Sequence, residues 1–190
     1  MDALRDRILQ DGENMGRGIL KVDSFINHQV DPVLMLEAGR ELAARFAEIG
    51  ATKVLTAEIS GIAPAMTTAL TLGVPLLYAR KTKPITMTEP VYVEAAPSHT
   101  KGVAVFLMCS PEFLTPDDRI LIIDDFLASG QTIKALVRMV RHADAKLVGI
   151  GALIEKSFEG GRAALEPLGV PVHALVTIDE MTDEQLVFAP

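Results

Sequence analysis

The sequence has a single cysteine, no tryptophan and no long apolar stretch. Cys109 cannot form an internal disulfide, and no Cys and His residues have the spacing of a zinc site, so the sequence indicates a reducing compartment. The longest uninterrupted apolar stretch, residues 148–154, includes two glycines and is far shorter than the roughly 20 residues that cross a bilayer. The first seven residues lack the apolar core of a signal peptide. We therefore expect a cytoplasmic protein without a membrane partner.

Positive charge is also scarce. The chain has 18 Lys and Arg residues against 25 Asp and Glu residues, which gives a formal net charge of −7. A protein of this charge repels polyanions, so we do not expect it to bind nucleic acid. With 190 residues, 49% of them hydrophobic, the chain is long enough for one substantial core and short for two. We expect a single domain over residues 1–190.

Short β-rich runs alternate with helical patterns along the chain. Apolar residues at helical spacing predict helices over residues 35–49 and 133–140. The alternation predicts an α/β fold with a mostly parallel central sheet flanked by helices. Residues 120–123 are apolar at every position, which indicates a strand at the centre of that sheet. Strands are expected at 54–57, 76–79, 103–109, 119–123, 146–155 and 172–176.

Two segments interrupt this alternation. Residues 84–116 carry five of the eleven prolines and one clear strand, which is typical of a functional loop. Within it, residues 86–101 are expected to fold over the active site and exclude water. The first thirty residues precede the alternation, and we expect them to form a small hood on the sheet together with part of the C-terminal region.

The strongest motif for chemistry follows the central strand. Asp124 and Asp125 come directly after residues 120–123, and a loop of small residues then leads into a helix. In a parallel sheet, ligands bind at the carboxyl ends of the strands, and the amide groups at a helix N-terminus favour a phosphate. Carboxylates suit sugar hydroxyls and can stabilise a cationic transition state. The motif therefore indicates a ribose phosphate site whose loop contains Ala128, Ser129, Gly130, Gln131 and Thr132.

A simpler interpretation of the same residues exists. Ser129 or Thr132 would then be an ordinary helix cap, and the two aspartates would be solvated acids at the end of a strand. Other phosphate motifs do not fit, because the chain contains no Gly-x-x-x-x-Gly-Lys-Ser/Thr sequence. Gly149 and Gly151 lie inside an expected strand rather than at a turn between a strand and a helix.

The strand, the acid pair and the loop resemble the PRPP (phosphoribosyl diphosphate) motif of type I phosphoribosyltransferases. This motif departs from the commonest form of that family at Ser129, where Thr is usual, and at Gln131, where a small residue or Thr is usual. A wider resemblance, to bacterial xanthine phosphoribosyltransferases, covers nearly the whole chain. It is carried by residues 20–29, 60–64, 79–81 and 154–158.

The resemblance implies a purine-salvage enzyme that transfers phosphoribosyl from PRPP to N9 of xanthine. Asp124 and Asp125 would be catalytic, and Mg²⁺ would bind mainly through the diphosphate. The enzyme would be a homodimer. PRPP would contact the 128–132 loop together with Ser60, Gly61 and Lys81, and xanthine would contact Leu20, Asn27 and Lys156.

These assignments agree with the residue types. Ser60 and Gly61 follow a strand and open a helix, which suits a diphosphate, and the cation of Lys81 would offset its charge. The Lys156 ammonium can donate to a purine oxo group while the base stacks on Phe158. Each residue also has a plainer interpretation, as a turn residue or a solvated charge. His28, His99, His142 and His173 are isolated and are interpreted as structural or surface residues.

Two alternatives remain open from the sequence. The first keeps the chemistry but changes the base to hypoxanthine, guanine or adenine, with adenine disfavoured because a lysine donates to an oxo group rather than to an amino group. The second is a regulator that senses PRPP and binds nucleic acid, which would require a basic surface or an added module.

Overall fold

A six-stranded sheet runs through the molecule, whose computed structural model describes residues 1–97, 104–182 and 185–189. Its strands are β3 (Lys53–Ala57), β4 (Leu76–Ala79), β7 (Arg119–Leu127), β8 (Lys146–Lys156), β9 (Val172–Met181) and β10 (Leu186–Phe188). They lie in the order β10-β9-β8-β7-β3-β4, and all neighbouring pairs are parallel except β10 and β9. This arrangement confirms the expected α/β fold.

Within the described residues, five α-helices flank this sheet. They are α1 (Asp2–Asp11), α2 (Pro32–Arg45), α3 (Ile62–Leu72), α4 (Gln131–His142) and α5 (Gly161–Leu165). Helix α2 begins where the Asp31 side chain accepts hydrogen bonds from the amides of Val33 and Leu34, both 3.1 Å long. It ends at Arg45, so the predicted helix over residues 35–49 was too long at its C-terminal end.

The central strand is buried on both faces, as its apolar sequence predicts. Leu121 and Ile123 of β7 pack into the core on the α2 and α3 side, whereas Ile120 and Ile122 pack into the core on the α4 side. The strand continues to Leu127, four residues beyond its predicted end. The two aspartates therefore belong to the strand itself, and the loop begins immediately after it.

The glycines of β8 make room for an aromatic ring. A methyl group on Gly149 would lie 2.9 Å from the Phe46 ring, and one on Gly151 would lie 3.0 Å from it. Phe46 is buried against the sheet just after α2 ends. The two glycines are therefore explained by packing in a strand, as expected, and not by nucleotide binding.

The predicted strand at 103–109 does not join the central sheet. Instead β6 (Ala104–Cys109) pairs antiparallel with β5 (Tyr92–Pro97), a strand that the sequence pattern did not reveal. A bridge between Arg80 and Met108 connects this hairpin to the end of β4. Residues 98–101 of the segment expected to cover the site, which include His99, lie outside the described residues. So does Val103, the first residue of the predicted strand at 103–109.

The N-terminal segment packs against the C-terminal part of the chain. It contains the strands β1 (Glu13–Asn14) and β2 (Leu20–Lys21) and a short π-helix, Asp23–Asn27. The Asn14 side chain donates a 2.5 Å hydrogen bond to the Thr182 carbonyl, beyond β9. These contacts are those expected of a hood, although the hood and the single domain over 1–190 remain predictions. Within the described ranges, no helix is both long and apolar enough for a bilayer span.

Candidate active site

The acid pair, Asp124 and Asp125, and the 128–132 loop belong to one continuous strand, loop and helix. Asp124 and Asp125 lie near the carboxyl end of β7, both buried, and α4 begins at Gln131. The N-cap of α4 is Gly130, which has no side chain and adopts the left-handed conformation at φ +75°. Glycine adopts this conformation without strain, so the loop turns sharply into the helix. The interpretation of Ser129 or Thr132 as the cap of this helix is therefore wrong.

These residues surround one cavity of about 350 Å³. Both aspartates, all five loop residues and Lys81 line it, so eight of the thirteen residues singled out from the sequence meet in one place. The hairpin of β5 and β6 contributes an apolar wall. The complete lining is Lys81, Ala96, Val105, Leu107, Asp124, Asp125, Phe126, Ala128, Ser129, Gly130, Gln131, Thr132 and Ile133.

The turn that contains Ser60 and Gly61 adjoins this cavity through Gly61. A methyl group on Gly61 would lie 2.7 Å from Oδ1 of Asp124 and 2.3 Å from Oγ1 of Thr56. Glycine is thus required for close packing of the turn against the acid pair. Helix α3 begins directly after it, at Ile62. Ser60 is partly exposed in the same turn.

Glu58 connects this turn to the basic residues after β4. Its carboxylate accepts a 2.5 Å hydrogen bond from the Lys81 amide, and its other oxygen lies 3.4 Å from Nε of Arg80. The Glu58 carboxylate therefore fixes the backbone at Lys81. Sequence reasoning missed Glu58, although a carboxylate just before the Ser60 and Gly61 turn was visible in the sequence.

The two carboxyl groups influence each other. Burial, followed by the charge of Asp125, raises the pKa of Asp124 well above its ordinary value, while Lys81 opposes this shift. Oδ1 of Asp124 also accepts a 3.1 Å hydrogen bond from the Asp125 amide. The pair can therefore hold a proton more readily than two solvated aspartates can.

Lys156 lies at the end of β8, close to this cavity. Its Nζ is 5.3 Å from the ring centre of Phe126, which lines the cavity. The same ammonium donates a 2.6 Å hydrogen bond to the Gly18 carbonyl of the N-terminal segment and lies 3.6 Å from Glu159. Lys156 thus connects the N-terminal segment to the wall of the cavity.

The other residues assigned to the base lie differently. Leu20 is buried, and its side chain packs in the core. Asn27 is exposed at the end of the short π-helix. Phe158, the aromatic singled out from the sequence, is 44% exposed. The stacking role of Phe158 stays a prediction. Phe126 is an aromatic ring beside Lys156 that the sequence interpretation missed, because it lies inside the β7 motif.

The comparisons with known proteins agree with this geometry. The sequence profile of the phosphoribosyl transferase domain matches residues 35–165. Xanthine phosphoribosyltransferase of Deinococcus deserti is 51% identical over 96% of this chain and 95% of its own length. The Streptococcus agalactiae protein of the same name is 50% identical over 100% of this chain and 98% of its own length. The chain belongs to the xanthine phosphoribosyltransferase family.

Solved structures agree with the fold of this phosphoribosyltransferase. Adenine phosphoribosyltransferase of Rhodothermus marinus superimposes with a TM-score of 0.73 over 94% of this chain and all of its own, at 26% identity. The Trypanosoma brucei enzyme gives 0.75 over 94% of this chain and 83% of its own, at 19% identity. Identities this low concern the architecture, not the choice of base.

The raised pKa of Asp124 predicts that the ionised carboxyl group at this position lowers the stability of the folded phosphoribosyltransferase. The folded protein binds the proton more tightly than the unfolded chain does, so stability falls as the pH rises from about 4 through the raised pKa. We expect Asp124→Asn to raise Tm at pH 8 by roughly 2–4 °C. The gain should disappear near pH 4, where Asp124 is already protonated.

Differential scanning calorimetry across this pH range checks the expectation. Asp117→Asn is the matched control, because Asp117 is exposed just before the same strand, and it should leave Tm unchanged. A lower Tm for Asp124→Asn at every pH would contradict the prediction.

Of the histidines in the described part of the chain, His142 contacts the β5 and β6 hairpin. Nδ1 of His142 lies 3.6 Å from the Glu94 carboxylate on the hairpin, which is a structural contact. Across residues 1–97, 104–182 and 185–189, no group of three or more His, Cys, Asp or Glu side chains is arranged to hold a metal ion.

Proposed function

We propose that this protein transfers the 5-phosphoribosyl group of PRPP to N9 of xanthine, giving xanthosine 5′-monophosphate and diphosphate. The bond between C1′ and the diphosphate oxygen breaks, a bond between C1′ and N9 forms, and N9 gives up its proton. The observation that carries the proposal is the shared cavity of the acid pair and the phosphate loop. A ribose 5-phosphate needs both a site for its phosphate anion and hydrogen-bond partners for its hydroxyl groups, and this cavity has both.

The 128–132 loop would bind the 5′-phosphate. Its backbone leads into the N-terminus of α4, where amide groups and the helix dipole favour an anion. The turn at Ser60 and Gly61 would bind the diphosphate at the N-terminus of α3, with the charge of Lys81 beside it. The two anionic ends of PRPP would thus be held by two different helices, with the ribose between them.

Asp124 and Asp125 would act on the ribose. As the bond to the diphosphate lengthens, C1′ gains oxocarbenium character, and a nearby carboxylate stabilises positive charge. A pair that holds one proton can both donate to and accept from hydroxyl groups, which fixes the sugar. Catalysis would rest on positioning and electrostatics, with no covalent intermediate on the protein.

Mg²⁺ fits the chemistry of this site. Mg²⁺ binds through one or two carboxylates plus substrate phosphate oxygens, and the cavity offers the carboxylates of Asp124 and Asp125. When bound, the ion would neutralise charge on the leaving diphosphate. With two carboxylates in the lining, the diphosphate would supply most of its ligands.

The base would lie on the Lys156 side of the cavity. The Lys156 ammonium has three donors, of which one is used by the Gly18 carbonyl, and it can donate to a purine oxo group. The resemblance implies that Leu20 and Asn27 also contact xanthine. Phe126 adds an aromatic face at the same place.

The working form is proposed to be a cytoplasmic homodimer. Helix α3 exposes Met66 (55%) and Leu70 (71%), which lie one helical turn apart, and Tyr78 is exposed on the edge strand β4. Ile59 is 73% exposed in the diphosphate turn. Exposed apolar residues grouped in this way indicate a protein interface, and a second copy would cover them. The cytoplasmic assignment rests on the single free and buried cysteine, Cys109.

Leu70→Asp should convert this dimer to a monomer, because an unpaired charge would be buried at the interface. Sedimentation equilibrium at micromolar concentration measures the change. Leu9→Asp, which alters a similarly exposed leucine on α1, is the control and should leave the mass unchanged. A wild-type protein that sediments as a monomer would overturn the proposal.

The reaction is tested by diphosphate release from PRPP and Mg²⁺ with xanthine, guanine, hypoxanthine and adenine at equal concentration. We expect xanthine to be turned over fastest and adenine slowest. Faster turnover of guanine or hypoxanthine would keep the reaction and change the base. Saturable PRPP binding without turnover of any purine would favour the regulator instead.

A further inference from the structure

Gly161, the first residue of α5, is packed against the phosphate loop. A methyl group there would lie 2.1 Å from the Ala128 carbonyl oxygen and 2.9 Å from Cδ1 of Leu127. Contacts below 3 Å require the backbone to shift, because a carbonyl group in a loop cannot rotate away as a side chain can. From the other side, a methyl group on Gly130 would lie 3.5 Å from the Cα atom of Gly161. The absence of a side chain at residue 161 therefore sets the position of the loop backbone.

An ion pair with a buried carboxylate holds Gly161 in this position. The next residue, Arg162, donates two hydrogen bonds to the Glu155 carboxylate, 2.7 Å from Nε and 2.5 Å from Nη2. Its third nitrogen, Nη1, donates a 2.9 Å hydrogen bond to the Val172 carbonyl of β9. Glu155 is 1% exposed, whereas the Arg162 side chain is 47% exposed, so the carboxylate is buried and the guanidinium covers it from the solvent side with two hydrogen bonds. The start of α5 is thus attached to both β8 and β9.

The anchor and the loop meet at the same place in the sheet. Glu155 of β8 is the register partner of Leu127 of β7, the residue just before the phosphate loop. Glu155 also precedes Lys156, which is proposed to read the base. The segment 156–161 therefore has at one end the lysine proposed to bind the base, and at the other end Gly161, which contacts the 128–132 loop.

We propose that Gly161 is a positioning residue for the phosphoribosyl group, and that the Glu155 and Arg162 pair holds it against the Ala128 carbonyl. Gly161 touches no substrate in this arrangement; it acts through the 128–132 loop. The inference rests on the proposed function, because it assigns that loop to the 5′-phosphate.

Gly161→Ala should raise the KM for PRPP about tenfold or more, because the added methyl group displaces the loop. The KM for xanthine and kcat should change much less, since the base side and the acid pair keep their places. Ribose 5-phosphate binding, measured by isothermal titration calorimetry, should weaken by a similar factor. Arg162→Lys keeps the positive charge but cannot donate two hydrogen bonds from fixed positions to the Glu155 carboxylate. We expect a smaller rise, of several-fold, in the KM for PRPP.

Gly160→Asn is the matched control. Gly160 has φ +73° and no atom within 4 Å of an added methyl group, and asparagine tolerates this conformation. This variant should keep the wild-type KM for PRPP. If Gly161→Ala lowers Tm but leaves PRPP and ribose 5-phosphate binding unchanged, Gly161 is merely structural and the proposal is overturned. If Gly161→Ala does not fold, an unchanged KM for PRPP in Arg162→Lys overturns it.

The two proposals fail in different ways. A wild-type protein that binds ribose 5-phosphate but turns over no purine would overturn the enzyme function, and weaker ribose 5-phosphate binding by Gly161→Ala would still support the positioning role. A wild-type protein that binds neither PRPP nor ribose 5-phosphate would overturn both.

Discussion

Asp125→Asn should lower kcat about a hundredfold while leaving the protein folded. Asparagine has nearly the same shape but carries no negative charge, so it holds the ribose hydroxyls by weaker, uncharged hydrogen bonds and does not stabilise the positive charge that develops at C1′. A hydrogen bond to a charged group contributes about 1.5–3 kcal/mol, which corresponds to this loss of rate. Steady-state diphosphate release at saturating PRPP and xanthine measures the effect.

The location of Asp125 makes the comparison clear. It is buried in the cavity, whereas Asp117 is exposed just before the same strand. Asp117→Asn makes the same chemical change away from the cavity and should keep the wild-type kcat. Full activity of Asp125→Asn would remove this residue from the mechanism. If Asp125→Asn instead raises the KM for PRPP about a hundredfold without loss of kcat, Asp125 acts in binding alone.

Lys156→Met should reduce kcat/KM for xanthine about a hundredfold and narrow the preference over adenine. Methionine fills nearly the same volume in this buried position but cannot donate a hydrogen bond to a purine oxygen. A site built to donate to a polar substrate group loses discrimination when the donor is removed. Competition between xanthine and adenine for PRPP measures the ratio directly.

The Lys156 contact with the Gly18 carbonyl requires a control, because its loss alone could disturb the N-terminal segment. If Lys156 acts only through that contact, activity with every purine should fall by the same factor, and the ratio of xanthine to adenine should not change. Lys146→Met replaces the exposed lysine at the other end of β8 and should leave both values at wild type.

The site could be predicted from the sequence where neighbouring residues carry it. Asp124, Asp125 and the 128–132 loop are contiguous, and the apolar run before them places them at the carboxyl end of a central strand. Seven of the eight chosen residues around the cavity come from that one segment, and the eighth, Lys81, was identified by its position after a strand. The strand pattern likewise predicted the α/β sheet, because alternating strands and helices leave few other topologies.

Contacts between distant segments were decided only by the tertiary structure. Strand β5 was missed because it has no strong apolar alternation, and its pairing with β6 depends on packing against α4. Phe126 was passed over because no local pattern shows that Lys156 of another strand lies beside its ring. Glu58 holds the Lys81 amide across 23 residues, and Gly161 meets the Ala128 carbonyl across the sheet.

The sequence by itself predicted the acid pair, the 128–132 loop and Lys81, which line one cavity, because these residues form short motifs at strand ends. Only the tertiary structure decided which residues hold those motifs in place. The physical reason is that a strand end or helix start is a local property of the backbone, whereas a close approach such as that of Gly61 to Asp124 depends on how separate elements pack.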